Sequence, residues 1–421
     1  MKFNLAYGKT HLPLELDPAH LLAVLEPRSM PAGAEGKNLV ETALAHPLGG
    51  PRLGEIIRQK KARSAVIVVN DITRPTPYEV MLPPLLAEIE AAGIRPADID
   101  LIVATGIHRP HTEEDNRSVF GEEIYRRYRI VNHDCDHNLT SLGQLSNGMD
   151  LVINRTAAEA DLLVTTGVVG LHYFAGYSGG RKSILPGIAS RPVIEANHRM
   201  MSDPRACLGN YRDNPVSDLM LEAAYRAGVD FILNVVTRSK YDIAFCAAGD
   251  VRQAWLAAVQ FCEEMTTIPI SARADIVVAS CGGYPKDINM YQAQKALDAA
   301  ALAVKPGGTI ILAAECREGL GEDVFQDWIN TATCRQDIID RFHRRFQLGG
   351  HKAYAICRTA EQADIILVSS LDDDQVHRLF MTPADSLEQA LQAAQHHHGE
   401  QATVILMPEA PKLGVKLTGD E

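Results

Sequence analysis

The stretch of sequence that decides the fold is DLLVTTGVVGLHYFAGYSGGRKSILPG, residues 161–187. It begins with a short apolar run, 161–165, and continues into a loop that contains six glycines. A continuous apolar run of this length predicts a strand buried on both faces of a parallel sheet. Because open α/β sheets bind ligands at the carboxyl ends of their strands, the polar residues after this strand predict a ligand site.

Similar apolar runs recur along the chain, with helical patterns between them. Further strands are predicted at 65–69, 100–104, 230–236, 275–279, 309–313, 364–369 and 403–407. Helices are predicted at 79–92, 217–227, 252–264, 289–304 and 387–396. This alternation predicts an α/β fold of mainly parallel sheets with flanking helices.

The length of 421 residues exceeds what one hydrophobic core usually supports, so two domains are expected. The stretch TTIPISAR, 266–273, ends a predicted helix, contains a proline and precedes a new strand. We therefore predict an N-terminal cofactor-binding domain at 1–270 and a C-terminal domain at 271–404. The tail, 405–421, is expected to return to the first domain, and the active site to lie in the interdomain cleft.

Composition excludes several classes of function. The net charge of −12 argues against a nucleic-acid partner, which would require a basic face. No apolar stretch is long enough to span a membrane, and the first residues lack the apolar core of a signal peptide. The eight cysteines include no CxxC pair, which disfavours zinc sites and disulfide frameworks and favours the cytoplasm. The oligomeric state stays open.

The glycine-rich loop is the first candidate site. Its segment Ser178-Gly179-Gly180-Arg181-Lys182-Ser183 resembles a phosphate cradle, because closely spaced glycines let backbone N–H groups approach an anion. It lacks the spacing of an ATP-binding P-loop. Lys182 could serve as an anion ligand or as a nucleophile that becomes covalently attached to a group.

Two other strand ends carry polar side chains. The strand 65–69 leads to Asp71, Thr73 and Arg74, and an arginine there can hold a carboxylate in bidentate fashion. The strand 100–104 leads to His108, at a common position for a catalytic base. The alternatives are an ordinary turn with a surface arginine and a structural histidine.

Two predicted helices carry further candidates. His198 could ligate a metal through one ring nitrogen, although a polar histidine on a helix face is the alternative. Tyr291, Gln292 and Lys295 can share one face near the start of a helix in the second domain. The alternative there is an amphipathic helix with a solvated polar face.

Taken together, these segments resemble the nickel-dependent lactate racemase family. The matching stretches occur in family order along the chain: DITRPTP (71–77), TGIHRPHT (105–112), GLHYFAGYSGGRKSILPG (170–187), EANH (195–198) and GGYPKDINMYQAQK (282–295). The resemblance implies a racemase or epimerase that inverts C2 of a 2-hydroxy acid by hydride transfer. It also implies a nickel-pincer nucleotide as cofactor, namely the nickel complex of pyridinium-3-thioamide-5-thiocarboxylic acid mononucleotide, which separate cofactor-synthesis enzymes must supply.

The resemblance also implies roles for individual residues. Lys182 would carry the cofactor covalently, His198 would ligate nickel, and His108 and His172 would be the two acid/base groups. The substrate would be bound by Arg74, Tyr291, Gln292 and Lys295. Further residues are expected around the cofactor: Asp71, Thr73, Tyr177, Ser178, Gly179, Gly180 and Arg181.

The substrate is expected to be larger or more polar than lactate. Lactate-specific members are expected to cover their small substrate with a bulky aromatic residue, whereas the corresponding stretch here is Leu348-Gly349-Gly350-His351-Lys352 and Trp328 lies elsewhere in the sequence. His351 and Lys352 could bind a distal polar group or lie in a solvated loop. The alternative functions are a nucleotide- or anion-binding oxidoreductase, although GxGxxG is absent after the first strand, and a non-catalytic binding module.

Overall fold

The computed structural model describes residues 1–28 and 34–419. Its strands, numbered in chain order, are β1 (Lys2–Tyr7), β2 (Thr10–Glu15), β3 (Leu21–Val24), β4 (Ala65–Asn70), β5 (Ile99–Ala104), β6 (Arg129–Asn132), β7 (Leu139–Gln144), β8 (Asp150–Asn154), β9 (Leu162–Val168), β10 (Leu171–His172), β11 (Gly176–Tyr177), β12 (Phe231–Ser239), β13 (Asp242–Gly249), β14 (Thr267–Ile270), β15 (Ala274–Ser280), β16 (Val304–Ala313), β17 (Asp364–Val368), β18 (Thr382–Pro383), β19 (Val404–Met407) and β20 (Gly414–Leu417).

The helices lie mainly between these strands. They are α1 (Gly36–Ala45), α2 (Leu53–Lys60), α3 (Tyr78–Ala91), α4 (Glu113–Phe120), α5 (Glu122–Arg127), α6 (Arg155–Ala158), α7 (Arg191–Arg199), α8 (Pro215–Arg226), α9 (Val251–Thr266), α10 (Met290–Ala303), α11 (Asp323–Thr331), α12 (Arg335–Arg344), α13 (Gly350–Gln362), α14 (Asp373–Arg378) and α15 (Leu387–His398). Within the described residues, no helix is both long and apolar enough to cross a membrane.

The chain forms two compact units. The central unit is Ser29–Met265, and the terminal unit combines Met1–Arg28 with Thr266–Glu421. The predicted division at residue 270 lies near the second boundary, but the first 28 residues and the tail both group with the later unit. Strand pairing explains this difference, because β3 pairs with β19 and β20 pairs with β14.

The central unit is built on a six-stranded sheet in the order β13-β12-β9-β4-β5-β6. All neighbours are parallel except β12 and β13. Its central strands, such as β4, are apolar and buried, and one face of the sheet packs on helical residues such as Leu82 and Leu85 of α3. The chain proceeds outward from β4 on one side and from β9 on the other, so the strand order reverses between them. The strand ends at such a reversal are the usual ligand site of an α/β sheet.

The terminal unit contains a second six-stranded sheet, in the order β18-β17-β16-β15-β19-β3, with every pair parallel. One face packs against α15 and against Leu5 and Leu14 of the β1–β2 hairpin. The N-terminal hairpin therefore contributes to the core of this unit, although it is distant from α15 in sequence.

The predicted fold class is confirmed: both units are α/β layers on mainly parallel sheets. The strands predicted from apolar runs are present, with ends that differ by up to five residues. The hairpins β1–β2 and β7–β8 were not predicted, because their strands are partly exposed and lack a continuous apolar run.

Candidate active site

Asp71 and His108 form the first pair of the site. Asp71 directly follows β4, and His108 follows the neighbouring β5, so the parallel register brings both to one edge of the sheet. His108 Nδ1 lies 2.7 Å from Asp71 Oδ2. Since an ionised carboxylate can only accept, Nδ1 carries the proton and donates it, and Nε2 of the neutral ring carries a lone pair. That lone pair gives His108 the form that a general base requires.

The Asp71 carboxylate is held in its ionised form. It is buried, and burial acts to raise the pKa of this carboxyl. Hydrogen bonds from His108 and Thr73 outweigh burial and hold the pKa below its usual value. Arg74, an exposed residue of the same loop, favours the charged carboxylate as well. Asp71 is therefore a stable negative partner for His108.

His111 holds the loop that contains Asp71 by a hydrogen bond to its backbone. It is buried, and its Nε2 accepts a hydrogen bond from the backbone N–H of Ile72 at 2.7 Å. Its Nδ1 lies 3.0 Å from Asn116 Oδ1 and donates to it. Thr112 then caps α4 in a capping box with Asp115. In the motif 105–112, His108 therefore belongs to the candidate site, whereas His111 has a structural role.

His172 and Lys182 form the second pair. Both belong to the loop after β9, and Lys182 Nζ lies 2.8 Å from His172 Nε2. The backbone N–H of Ala175 donates to His172 Nδ1 at 3.2 Å. Burial lowers the pKa of Lys182 well below its usual value, and the positive charges of Arg74 and Arg181 act in the same direction.

Phe174 links the second pair to His198. Its ring is fully buried, and its centroid lies 4.6 Å from that of His172 and 5.0 Å from that of His198. Lys182 Nζ lies 5.4 Å from the same ring. Sequence reasoning did not single out Phe174, and the signal it could have used is the aromatic pair Tyr173-Phe174 inside a glycine-rich loop.

His198 has the chemistry of a metal ligand. It lies in the last turn of α7, and its Nδ1 donates to the carbonyl of Ile194 at 2.9 Å. Burial lowers the pKa of His198 to about 3, and the nearby basic groups Lys182, His108 and Arg74 act in the same direction. The ring is therefore neutral at ordinary pH, with the lone pair on Nε2, which is the form that binds metals.

The Ser178–Arg181 loop is the predicted phosphate cradle, and several of its donors are bonded within the protein. The backbone N–H of Gly180 donates to Asn234 Oδ1 at 2.8 Å, and that of Ser178 donates to the Gly170 carbonyl. Arg181 is fully buried and donates to the carbonyls of Ala175 and Tyr177 and to the hydroxyl of Ser217. These bonds hold the loop, whereas Nε of Arg181 is buried without a hydrogen-bond partner among the described residues, so the phosphate cradle stays a prediction.

Gly176 and Gly179 of this loop are closely packed. Gly176 has φ +70°, and a Cβ there would lie 1.9 Å from the carbonyl oxygen of Asn210. Gly179 has φ +124°, and a Cβ would lie 2.7 Å from the ring of Trp255. The same ring lies 3.8 Å from the Arg181 guanidinium, and its Nε1 donates to the Ser178 carbonyl. Tyr177 is buried with its ring against Tyr211.

The remaining predicted residues lie on α10 of the terminal unit. Asn289 caps this helix, and Lys295 Nζ donates to Gln292 Oε1 at 2.8 Å, so these two side chains share one face as predicted. Tyr291 packs edge-on against Phe325. Gln292 and Lys295 therefore contact each other, whereas Tyr291 contacts Phe325.

His351 and Lys352 are buried on α13 and do not lie in a solvated loop. Lys352 Nζ donates to Gln294 Oε1 at 2.7 Å, and Gln294 bonds Asp298 in turn. The Trp328 ring lies directly against Gly350, where a Cβ would approach it to 2.2 Å. Trp328, distant from this stretch in sequence, thus packs beneath it in the structure.

The fold and the site together define a class of protein. It is an α/β enzyme in which two histidines at strand ends, one paired with a carboxylate and one with a lysine, can move protons beside a third histidine suited to a metal. The family model described as "Lactate racemase N-terminal domain" matches residues 7–209, and "Lactate racemase C-terminal domain" matches residues 270–415. The chain belongs to the lactate racemase family and is an isomerase of the racemase type.

Individual relatives agree with this assignment. The chain is 36% identical to a lactate racemase of Thermoanaerobacterium thermosaccharolyticum, covering 98% of this chain and 99% of the relative. It is 37% identical to a lactate racemase of Lactiplantibacillus plantarum, covering 89% of each chain. The structure of the lactate racemase apoprotein from T. thermosaccharolyticum matches with a TM-score of 0.90 at 34% identity, covering 99% of this chain and 100% of that one. A Thermotoga maritima protein shares the fold, with a TM-score of 0.63 at 18% identity.

Proposed function

We propose that this enzyme inverts C2 of a 2-hydroxy acid by removing the α-hydrogen as hydride and returning it to the opposite face. The observation that carries the proposal is the set of three histidines and a lysine in the central unit. Besides burial, Lys182, His108 and Arg74 all act to lower the pKa of His198, and Arg74 acts to lower the pKa of Lys182. Membership of the family implies a nickel-containing cofactor, and two relatives are named lactate racemases.

The residues of the site fit a nickel-pincer nucleotide. Lys182 offers an amine for covalent attachment, and the neutral Nε2 of His198 offers a ligand to nickel. When bound, this cofactor supplies an acceptor for the hydride. Several donors of Ser178, Gly180 and Arg181 are bonded within the protein, and the role of this loop as a phosphate cradle stays a prediction.

His108 and His172 would move the hydroxyl proton. A hydride leaves C2 more readily when a base takes the hydroxyl proton at the same time, and Nε2 of His108 has the lone pair for this step. The opposite enantiomer presents its hydroxyl on the other side, so a second group is required, and His172 would serve there. Each histidine would act as base for one enantiomer and as acid for the other.

Charged residues would hold the substrate carboxylate. Arg74 is exposed, and its guanidinium fork matches a carboxylate in bidentate fashion. Gln292 and Lys295, which share a face on α10, stay predicted substrate-binding residues. The proposed substrate is larger or more polar than lactate. Cofactor-synthesis enzymes are the proposed partners, and the cytoplasm is the proposed location.

The first experiment measures intact mass and nickel content after co-expression with the cofactor-making enzymes. We expect a nickel-containing adduct that maps to Lys182 and is absent from Lys182→Ala. Exposed Lys61→Ala is the matched control and should keep the adduct. A panel of 2-hydroxy acids of increasing size and polarity would then be followed by chiral chromatography.

Two outcomes would contradict the proposal. Absence of nickel and adduct, while a known lactate racemase is loaded in the same cells, would exclude the pincer cofactor. A loaded enzyme that exchanges the C2 hydrogen of its substrate with solvent deuterium at every turnover would exclude hydride transfer in favour of proton abstraction.

A further inference from the structure

We propose that Lys182 and His172 lock each other in the unmodified protein. In this lock the Lys182 side chain is an uncharged amine whose lone pair accepts a hydrogen bond from Nε2–H of His172. The amine is thereby kept uncharged, so that its lone pair can attack once it leaves this hydrogen bond, and His172 is withheld from acid–base chemistry until Lys182 is acylated. The inference rests on the proposed function in taking Lys182 as the attachment point.

The direction of the hydrogen bonds carries the argument. The backbone N–H of Ala175 points at His172 Nδ1, 3.2 Å from the amide nitrogen, so Nδ1 must accept. A neutral imidazole carries one proton, which then resides on Nε2. Nε2 lies 2.8 Å from Lys182 Nζ, so it donates to that nitrogen. An ammonium has no lone pair to accept this bond, which leaves the neutral amine as the only partner that satisfies both contacts.

The opposite assignment fails on the same geometry. A charged Lys182 would donate to Nε2, and the imidazole proton would then have to be on Nδ1. That proton would face the N–H of Ala175, and two donors would oppose each other at 3.2 Å. A doubly protonated His172 would create the same conflict at Nδ1. Each of these assignments requires the 172–175 turn to move.

The surroundings of Lys182 agree with the neutral form. The charged groups that act on it are the cations Arg74 and Arg181, and both oppose a further positive charge. Phe174, His172 and His198 lie near Lys182 as well. Burial without a carboxylate partner stabilises an uncharged amine, as it does in lysines that act as nucleophiles.

Acylation would release the lock. When Nζ condenses with a carboxyl-type carbon of the cofactor, one N–C bond forms and one C–O bond breaks. The displaced oxygen leaves as water, with one proton from Nζ and one from the acid. The nitrogen lone pair is then delocalised into the new amide-type bond, and Nζ can no longer accept. Nε2 of His172 loses its partner and becomes available to the substrate, so attachment and activation of the second histidine are coupled.

The test uses the unmodified full-length protein and acetic anhydride as the probe. Trace acetylation across pH 6–10, followed by peptide mass spectrometry, gives the acetylation rates of Lys182 and of an added lysine peptide. The rate of the peptide rises about tenfold per pH unit below its pKa of roughly 10.4. We expect the rate at Lys182 to be level above pH 7. A rate at Lys182 that rises in parallel with the reference would overturn the inference. Only the slope is compared, so limited access to the site does not affect the result.

A second measurement tests the histidine. The protein is labelled with ¹⁵N-histidine, and the ring signals of His172 are assigned by their absence from His172→Asn. They should show a protonated Nε2 and an unprotonated Nδ1. Full acetylation of Lys182, or Lys182→Met, should shift the Nε2 resonance, whereas Lys61→Met should not. A His172 protonated on Nδ1 in the unmodified protein would contradict the lock. Since neither readout requires nickel or substrate, failure of the lock is distinct from failure of the nickel adduct to form.

Discussion

At the scale of single residues, the two proposed acid/base histidines differ in what holds them. His108 is oriented by a carboxylate that fixes its proton on Nδ1, whereas His172 is oriented by a backbone N–H that fixes its proton on Nε2. The unmodified site is therefore asymmetric, with one histidine ready to accept a proton and the other engaged with Lys182. Asp71 is a positioning residue, because it acts on the substrate only through His108.

Asp71→Asn tests this positioning role. The amide keeps the shape but can donate to Nδ1, which moves the histidine proton to Nε2 and removes the base. We expect kcat of the loaded enzyme to fall by about 10²–10⁴-fold, the scale of comparable changes in carboxylate–histidine pairs, with a much smaller effect on KM. Nickel content must match that of the wild type. A large loss of nickel with normal kcat per nickel would instead assign Asp71 to the cofactor.

Arg181 and Arg74 provide a matched pair of arginines. Arg181→Lys removes hydrogen bonds from a buried charge, and we expect a loss of about 2–4 kcal/mol in the free energy of unfolding by urea. Arg74→Lys, at an exposed position, should leave stability within about 0.5 kcal/mol but raise KM about tenfold or more by removing the bidentate fork. A stable Arg181→Lys variant that has only lost its cofactor would support the phosphate assignment.

At the scale of elements, the loop after β9 is held by close backbone contacts. Gly176→Ala would place a methyl group 1.9 Å from the Asn210 carbonyl, whereas Gly228, with a similar φ of +73°, has open space around its Cβ position. We expect Gly228→Ala to cost about 1–2 kcal/mol for the left-handed backbone alone. Gly176→Ala should cost clearly more and abolish cofactor loading. Equal losses of stability in the two variants would show that contact with Asn210 is unimportant.

Strands β15 and β19 are neighbours in the sheet of the terminal unit, and Asp275 connects them by hydrogen bonds to Thr403. Burial of this carboxylate acts to raise its pKa, but hydrogen bonds from Lys305 and Thr403 outweigh burial and lower the pKa to about 2. Because the folded pKa is below the unfolded value of roughly 3.9, the stabilisation is complete above about pH 4 and is lost as the pH falls through about 2.

Asp275→Asn should therefore destabilise the protein by about 1–2 kcal/mol at pH 7, and by less as the pH falls below about 4. Urea unfolding at pH 7, 5, 4 and 3 measures this difference. Asp98→Asn, which removes an exposed ion pair with Arg95, is the control and should change stability by less than about 0.5 kcal/mol. A difference for Asp275→Asn that is constant with pH would assign the effect to shape and not to charge.

At the scale of the whole molecule, the terminal unit depends on both ends of the chain. Leu14 of β2 is fully buried against the six-stranded sheet of the terminal unit, which is formed by β3 and by strands after residue 265. Leu14→Ala should cost about 2–5 kcal/mol, and the loss should be confined to the terminal unit. Hydrogen-exchange mass spectrometry should show faster exchange in β15, β16 and β19, with β4, β5 and β9 unchanged. Faster exchange in all six strands would show that the two units unfold together.

How well each residue of the site could be predicted depended on whether its role leaves a local pattern in the sequence. Strand ends placed Asp71, Arg74 and His108 correctly beside the sheet, because a buried parallel strand is visible as an apolar run. The same reasoning misjudged the 176–180 glycines, since a glycine required by a neighbouring backbone looks the same in sequence as one required by a ligand. Phe174 and Trp255 were missed, because their partners are set by contacts between distant segments.

The sequence by itself determined the α/β class, the order of the principal strands and the set of polar residues that follow them, because apolar periodicity and chain connectivity are local properties. Only the tertiary structure decided which groups orient His108 and His172, that Arg181 is buried against Ala175, Tyr177 and Ser217, and that the first 28 residues join the later unit. These properties depend on hydrogen-bond partners and strand pairings between segments far apart in the chain, and such pairings have no local signature.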